Sequence, residues 1–133
     1  GKFINCLMVK GKKTTVERIV YDAIDTLKER TGEDGLKVFL KAIENARPRV
    51  ELKPRRVGGA TYQIPVEVLI PRGNSLVMRW FRDFARKKKG KPMTVKLAEE
   101  FLAAYKMEGA AIKKRDETHK MAEANKAFAH LRW

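Results

Sequence analysis

The chain lacks most of what a secreted, metal-stapled or membrane-spanning protein depends on. Its single cysteine, Cys6, cannot form an internal disulfide. Its two histidines, His119 and His130, have no spacing that would build a zinc site with that thiol. No apolar run approaches the roughly 18 residues of a spanning helix, and the N-terminus carries no signal-peptide pattern, so a cytosol-like compartment is the expectation. Negative charge is scarce as well, with 16 Asp and Glu against 30 Lys and Arg, a formal net charge of +14. That surplus points to nucleic acid, a membrane surface or another acidic partner. Apolar residues still make up 44% of the chain, which excludes a disordered basic tail, and 133 residues suffice for one core and one domain, 1–133.

The surplus is not spread evenly. Residues 1–48 hold 10 basic and 7 acidic side chains, residues 49–91 hold 12 and 3, and residues 92–133 hold 8 and 6. Solubility alone would be served by mixed, dispersed charge with less self-repulsion, so the middle third is where a polyanion should be met.

Hydrophobic spacing predicts a mainly α fold, a single-domain bundle of about six helices with one protruding two-stranded β-hairpin. Phe3–Val9 reads as a short apolar helix that takes Cys6 into its packing and stops at Gly11. Thr14 with Glu17 forms a capping-box pattern ahead of a helix that runs to Gly32, and Leu36, Phe39, Leu40 and Ile43 mark the next, which must end before Pro48. The period then changes to two. Val50 and Leu52, then Tyr62, Ile64, Val66 and Val68, flank Gly58-Gly59, giving a hairpin over about 50–68. Pro54 and Pro65 confine both strands to edge positions. Its base should lean on the helices while Lys53, Arg55 and Arg56 project.

Asn74 and Ser75 supply an N-cap for a helix to about Lys89, with Leu76, Val77, Trp80, Phe81 and Phe84 on its core side and Arg79, Arg82, Arg86 and Lys89 opposite. Thr94–Glu108 gives another helix, ended by Gly109. In the last one, Lys113–Lys120 has almost no apolar face, so that half should meet solvent or a partner, while Met121, Ala124, Phe128 and Leu131 pack.

Catalytic chemistry finds little support. Gly11-Lys12-Lys13-Thr14 fails as a phosphate loop, because Cys6 stands where the first glycine belongs and Lys13 where the hydroxyl residue belongs. The carboxylate pairs Asp22/Asp25, Glu99/Glu100 and Asp116/Glu117 lie among lysines with no nucleophile or metal set beside them. No enzyme, metal or cofactor is expected. His119 suits a helix surface or a stacking contact with a partner, and His130 suits packing. Tyr62 and Trp133 are open to base stacking, or to a cross-strand contact and a docked terminus respectively.

The stretch Arg55-Arg56-Val57-Gly58-Gly59-Ala60-Thr61-Tyr62-Gln63-Ile64-Pro65-Val66-Glu67-Val68 resembles the family of the seventh protein of the bacterial-type small ribosomal subunit. Ile112–Trp133 resembles its C-terminal signature, and Asn5–Lys13 its first helix and loop. The resemblance implies a helical bundle with a projecting hairpin that binds ribosomal RNA of the subunit head and helps nucleate assembly of that domain. It further implies a place near the exit site, close to messenger and departing transfer RNA, among neighbouring head and platform proteins, in cytoplasmic ribosomes and away from membranes. Family members usually begin with a short basic arm, whereas this chain opens at Gly1 without one, so no arm contacts are assigned.

Residue types and resemblance agree on a cationic surface. Folded RNA is gripped by basic helix faces and a thin arm, because its deep major groove is closed to side chains. The RNA-binding residues expected are Lys10, Lys12 and Lys13 in the first loop, and Lys53, Arg55 and Arg56 on the arm. With them come Arg72, Arg79, Arg82 and Arg86 around the helix after Pro71, and Lys113, Lys114 and Arg115 on the last helix. Their role is phosphate neutralisation and positioning. The competing reading is a protein–protein adaptor whose basic patch docks on an acidic partner.

Overall fold

The computed structural model of the chain describes residues 13–131. In chain order these form α1 (Lys13–Thr31), α2 (Gly35–Ala46), β1 (Val50–Val57), β2 (Ala60–Glu67), α3 (Ile70–Lys87), α4 (Met93–Tyr105), α5 (Gly109–Ala124) and a 3-10 segment, Lys126–Leu131. A mainly helical fold with one antiparallel hairpin is what the periodicity predicts. The short helix expected at Phe3–Val9 lies outside the described residues.

The helix boundaries show which local signals prevailed. α1 already runs through Lys13, so Thr14 sits inside the helix rather than ahead of it. At its far end Gly32 adopts φ +72° and its N–H bonds the Lys28 carbonyl at 2.9 Å, a left-handed stop that costs glycine little. Asp34 then caps α2, its Oδ1 accepting from the Leu36 N–H at 3.1 Å. Asn74 and Ser75 do not cap α3. The helix opens earlier, at Ile70, because Pro71 in its first turn brings a preset φ and lacks an N–H that would be unpaired there anyway. Ser75 instead donates to the Pro71 carbonyl at 3.1 Å within the helix.

Gly109 does not end α4 either. The chain reverses at Met107, φ +61°, and Gly109, φ +90°, opens α5. A Cβ on Gly109 would come to 2.8 Å from the Cβ of Ala103, so the two helices meet there through a missing side chain. Asn45 of α2 binds this corner, its Nδ2 donating to the carbonyls of Ala104 and Tyr105 at 3.1 and 3.2 Å. The Tyr105 carbonyl at the end of α4 thereby gains a partner, and that of Ala104 gains a second one beside the Met107 N–H.

Helices α1 to α4 supply most of the core, and α5 adds Ala111 and Ile112 to it. Leu27 of α1, Val38 and Ala42 of α2, Val77, Phe81 and Ala85 of α3, and Leu97 and Phe101 of α4 are fully buried. Phe101 stands at the centre, edge-on to Phe39 at 4.8 Å and to Phe81 at 5.1 Å between ring centroids. Leu76, Trp80 and Phe84, expected on the same core face of α3, are only half-buried.

Where α2 begins, its backbone approaches α1 so closely that a Cβ on Gly35 would run into the Ile24 carbonyl oxygen. Gly35→Ala must push the two helices apart and should cost about 1–3 kcal/mol, as overpacking does. A lower midpoint in urea unfolding is the expected result. An unchanged midpoint would mean that some other contact sets the spacing of the two helices.

The hairpin pairs Val50 with Glu67 through to Val57 with Ala60. Gly58 and Gly59 both take positive φ, +59° and +86°, as a two-residue turn matching strand twist requires. Pro54 faces Gln63 and Pro65 faces Leu52, tolerated because each strand of a two-stranded ribbon has an outer edge. Support reaches further along the arm than its base. Ile64 is fully buried, and the Tyr62 ring lies 5.0 Å from that of Phe128 in the 3-10 segment. Only residues 56–61 form a continuously exposed tip.

Lys113–Lys120 of α5 is largely exposed, as expected, and Phe128 beyond the helix packs on Tyr62. Met121, however, remains 54% exposed, and the helix is anchored instead by buried Ala111, Ile112 and Ala122.

Candidate nucleic-acid interface

The expected cations fall into distinct groups once their partners are known. Lys53, Arg56, Arg79, Arg86, Lys113 and Lys114 are exposed, and the ion pairs found among the described residues use none of them. Arg79 and Arg86 lie on the side of α3 away from Phe81, as the helical wheel requires. Arg56 stands on the hairpin tip opposite Thr61.

Others are partly committed to the fold. Arg72 pairs with Glu51 at 3.4 Å, joining α3 to the foot of the hairpin, and Arg82 pairs with its neighbour Asp83 at 2.9 Å. Arg55 is half-buried opposite Tyr62. Arg115 is structural: Nη1 donates to the Asn45 carbonyl, and Nε and Nη2 donate to Asp116 Oδ1 at 3.0 and 2.7 Å. Lys10 and Lys12 lie outside the described residues. Lys13, expected in a loop, opens α1, and its side chain is not described.

The basic run after α3 also contributes less free charge than its sequence suggests. Lys88 binds Glu99 at 3.1 Å and the buried Glu100 at 3.0 Å, while Lys91 binds Glu99 at 2.6 Å. Burial pulls the Lys88 ammonium toward neutrality, but the hydrogen bonds it donates to Glu100 and Glu99 outweigh this and raise the pKa above the usual lysine value. The same contacts, led by the Lys91 hydrogen bond, hold the Glu99 carboxyl below its usual range.

His119 is neither a free surface residue nor poised for a partner. Its Nε2 accepts the backbone N–H of Arg49 at 2.9 Å, tying α5 to the start of the hairpin. The acceptor must be unprotonated, and burial, reinforced by nearby Arg115 and Arg49 against the opposing Asp116, lowers its pKa below the ordinary value. A histidine whose folded pKa is depressed contributes stability that is complete above the unfolded value of about 6.5 and is lost as pH falls through the folded one. The melting temperature should therefore drop between about pH 7 and pH 5. The drop should be smaller in His119→Gln, whose amide oxygen accepts the same bond without titrating. Parallel pH profiles for the two proteins would remove His119 as the cause.

Two groups were not singled out by the charge pattern. Arg47 and Arg49 line a cavity of about 470 Å³ together with Arg115 and His119, and Arg47-Pro48-Arg49 is the signal in the sequence that could have marked it. Lys87 lies over the Phe84 ring, 5.4 Å from its centroid. Around Trp80 the structure brings Arg72, Lys113 and Lys114 together, whereas Arg79, Arg86 and the hairpin tip line none of the cavities that these residues share.

Among the described residues no cluster of His, Cys, Asp or Glu could hold a metal ion, and no helix is long and apolar enough to cross a membrane. Unpaired cations on rigid helix faces and on a braced arm suit a protein that grips a polyanion, and in class this is a basic structural binding protein. The family model described as Ribosomal protein S7p/S5e matches residues 1–126. The small ribosomal subunit protein uS7 of Fervidobacterium nodosum is 61% identical over 132 residues, covering 99% of this chain and 85% of that protein. That of Thermotoga maritima is 58% identical over 133 residues, 100% of this chain and 86% of the relative. That of Photobacterium profundum is 59% identical over 133 residues, 100% of this chain and 85% of the relative. The chain belongs to the S7p/S5e family of ribosomal proteins and is a ribosomal structural protein rather than an enzyme.

Proposed function

We propose that the chain binds small-subunit ribosomal RNA of the head domain, helps that domain to assemble, and sits near the exit site with its hairpin tip toward messenger and departing transfer RNA. Neighbouring head and platform proteins complete its surroundings, in ribosomes of the cytoplasm. The observation that carries the reading is the set of exposed cations without ion-pair partners on α3, α5 and the hairpin tip, on a chain of net charge +14. Each such cation can release condensed counterions from one phosphate, which makes binding strong and salt-dependent. The arm offers a thin element for a junction that a helix cannot enter.

Chemical footprinting of small-subunit RNA with and without the protein tests this. Protections confined to the head domain are the expected result. Protections scattered over the whole RNA, or none at low salt, would overturn it and return the basic surface to an acidic protein partner.

A further inference from the structure

Trp80 occupies the flank of α3, roughly 100° round the helix from Phe81. It packs against the core along part of its surface and stays half-buried. Its indole N–H makes no hydrogen bond among the described residues, yet none of their buried side-chain N or O atoms lacks a partner, so that N–H is not closed off from solvent. A tryptophan left in this position presents both a π-face and a donor outward.

The surroundings are those of a binding surface. Trp80 is the wall shared by two cavities. One, of about 560 Å³, lies between α3 and α5, where Phe84, Lys87, Lys113 and Lys114 join it. The other, of about 320 Å³, lies at the foot of the hairpin with Leu52, Arg72 and Lys114. Both fall in the size range that takes small planar ligands. Phe84, one turn on from Trp80, is half-buried on the same flank. Lysines outnumber carboxylates around the larger cavity, where Asp83 and Glu117 are the acids on the rim. Aromatic faces interleaved with ammonium groups fit single-stranded nucleic acid, whose bases stack while its phosphates are neutralised. A protein side chain would fill an apolar cleft equally well but would leave these lysines without a counter-charge.

We propose that Trp80, with Phe84 beside it, is a stacking platform for an unpaired RNA base, and that Lys113 and Lys114 hold the phosphates flanking that base. This rests on the RNA-binding reading and adds a base contact to a surface otherwise expected to touch phosphate only.

The test uses the full chain carrying Trp133→Phe, so that Trp80 is the only fluorophore of its kind. It is titrated with a short oligoadenylate and with an abasic ribose-phosphate chain of equal length. Oligoadenylate should quench Trp80 emission strongly and the abasic chain should not. In Trp80→Leu, affinity for oligoadenylate should fall about five- to hundredfold, the loss of one base–aromatic stack, with affinity for the abasic chain unchanged. Trp80→Phe, which keeps a ring and the packing, should retain most of the affinity and controls for folding. Equal binding of both chains by Trp80→Leu and the unsubstituted residue would overturn the platform, as would oligoadenylate binding without quenching. Either result would leave the head-RNA reading standing if footprinting supports it. Quenching by an acidic peptide but by neither nucleic acid would assign the cleft to a protein and sink the proposal.

Discussion

Phe81→Ala is expected to lower the stability of the fold by about 3–5 kcal/mol, a large share of the roughly 5–15 kcal/mol that holds a domain together. Phe81 is fully buried, and its ring meets that of Phe101 at 5.1 Å with a 78° angle between the planes. Phe101 in turn meets Phe39. Truncation therefore removes one member of an edge-to-face cluster of three rings spanning α2, α3 and α4 and leaves a cavity that rigid helices close poorly. Trp80→Ala should cost less despite removing a larger side chain, because Trp80 is half-buried and already in contact with open cavities. Urea unfolding of the two variants separates the cases. A Trp80→Ala loss exceeding that of Phe81→Ala would place the centre of the core on the flank of α3 instead.

Arg79→Ala with Arg86→Ala should leave stability within about 0.5 kcal/mol of the parent, since both side chains are exposed and unpaired. Binding to head-domain RNA should suffer instead. If each arginine neutralises one phosphate, the slope of log K against log salt becomes shallower by about 0.7–0.9 per residue, or between about 1.4 and 1.8 for the pair. Adding Arg82→Ala should change the slope less than either of the first two, because Asp83 already engages that guanidinium at 2.9 Å. Asp22, Asp25 and Glu29 to Ala on α1 serve as a control and should not weaken binding. An unchanged slope for the arginine pair would reduce this face of α3 to a solvated surface.

How far the sequence could be read depended on whether one element or two decided a feature. The 3.6-residue spacing of α1 to α4, the change to period two at Val50, and the Gly58-Gly59 turn are all local, and each appears where the spacing predicts. The start of α3 misled because Asn74 and Ser75 look like caps until Pro71 is weighed as a first-turn residue. Gly109 misled because its role depends on Ala103, which only the folded corner brings against it. The candidate interface was legible as composition, since the basic middle third does carry Arg56, Arg79 and Arg86 in exposed positions. Which cations stay free was not legible. Arg115 meets Asn45 and Arg72 meets Glu51 across long sequence separations, and a helical wheel shows neither partner. Trp80 illustrates the same limit, because a wheel ranks residues by angle and cannot say how far a neighbouring helix extends.

The contact between Tyr62 and Phe128 makes the hairpin a cantilever clamped well along its length. The bending of a cantilever grows steeply with its free span, and here that span is residues 56–61 alone. On the RNA-binding reading proposed above, the tip would arrive with Arg56 already close to its final position and little motion left to freeze on docking. The clamp belongs to the far end of the chain, so trimming the protein before Phe128 would lengthen the beam without touching a single residue of the hairpin. A loosened arm in such a truncation would be a defect of stiffness, with the arm's charge and shape intact.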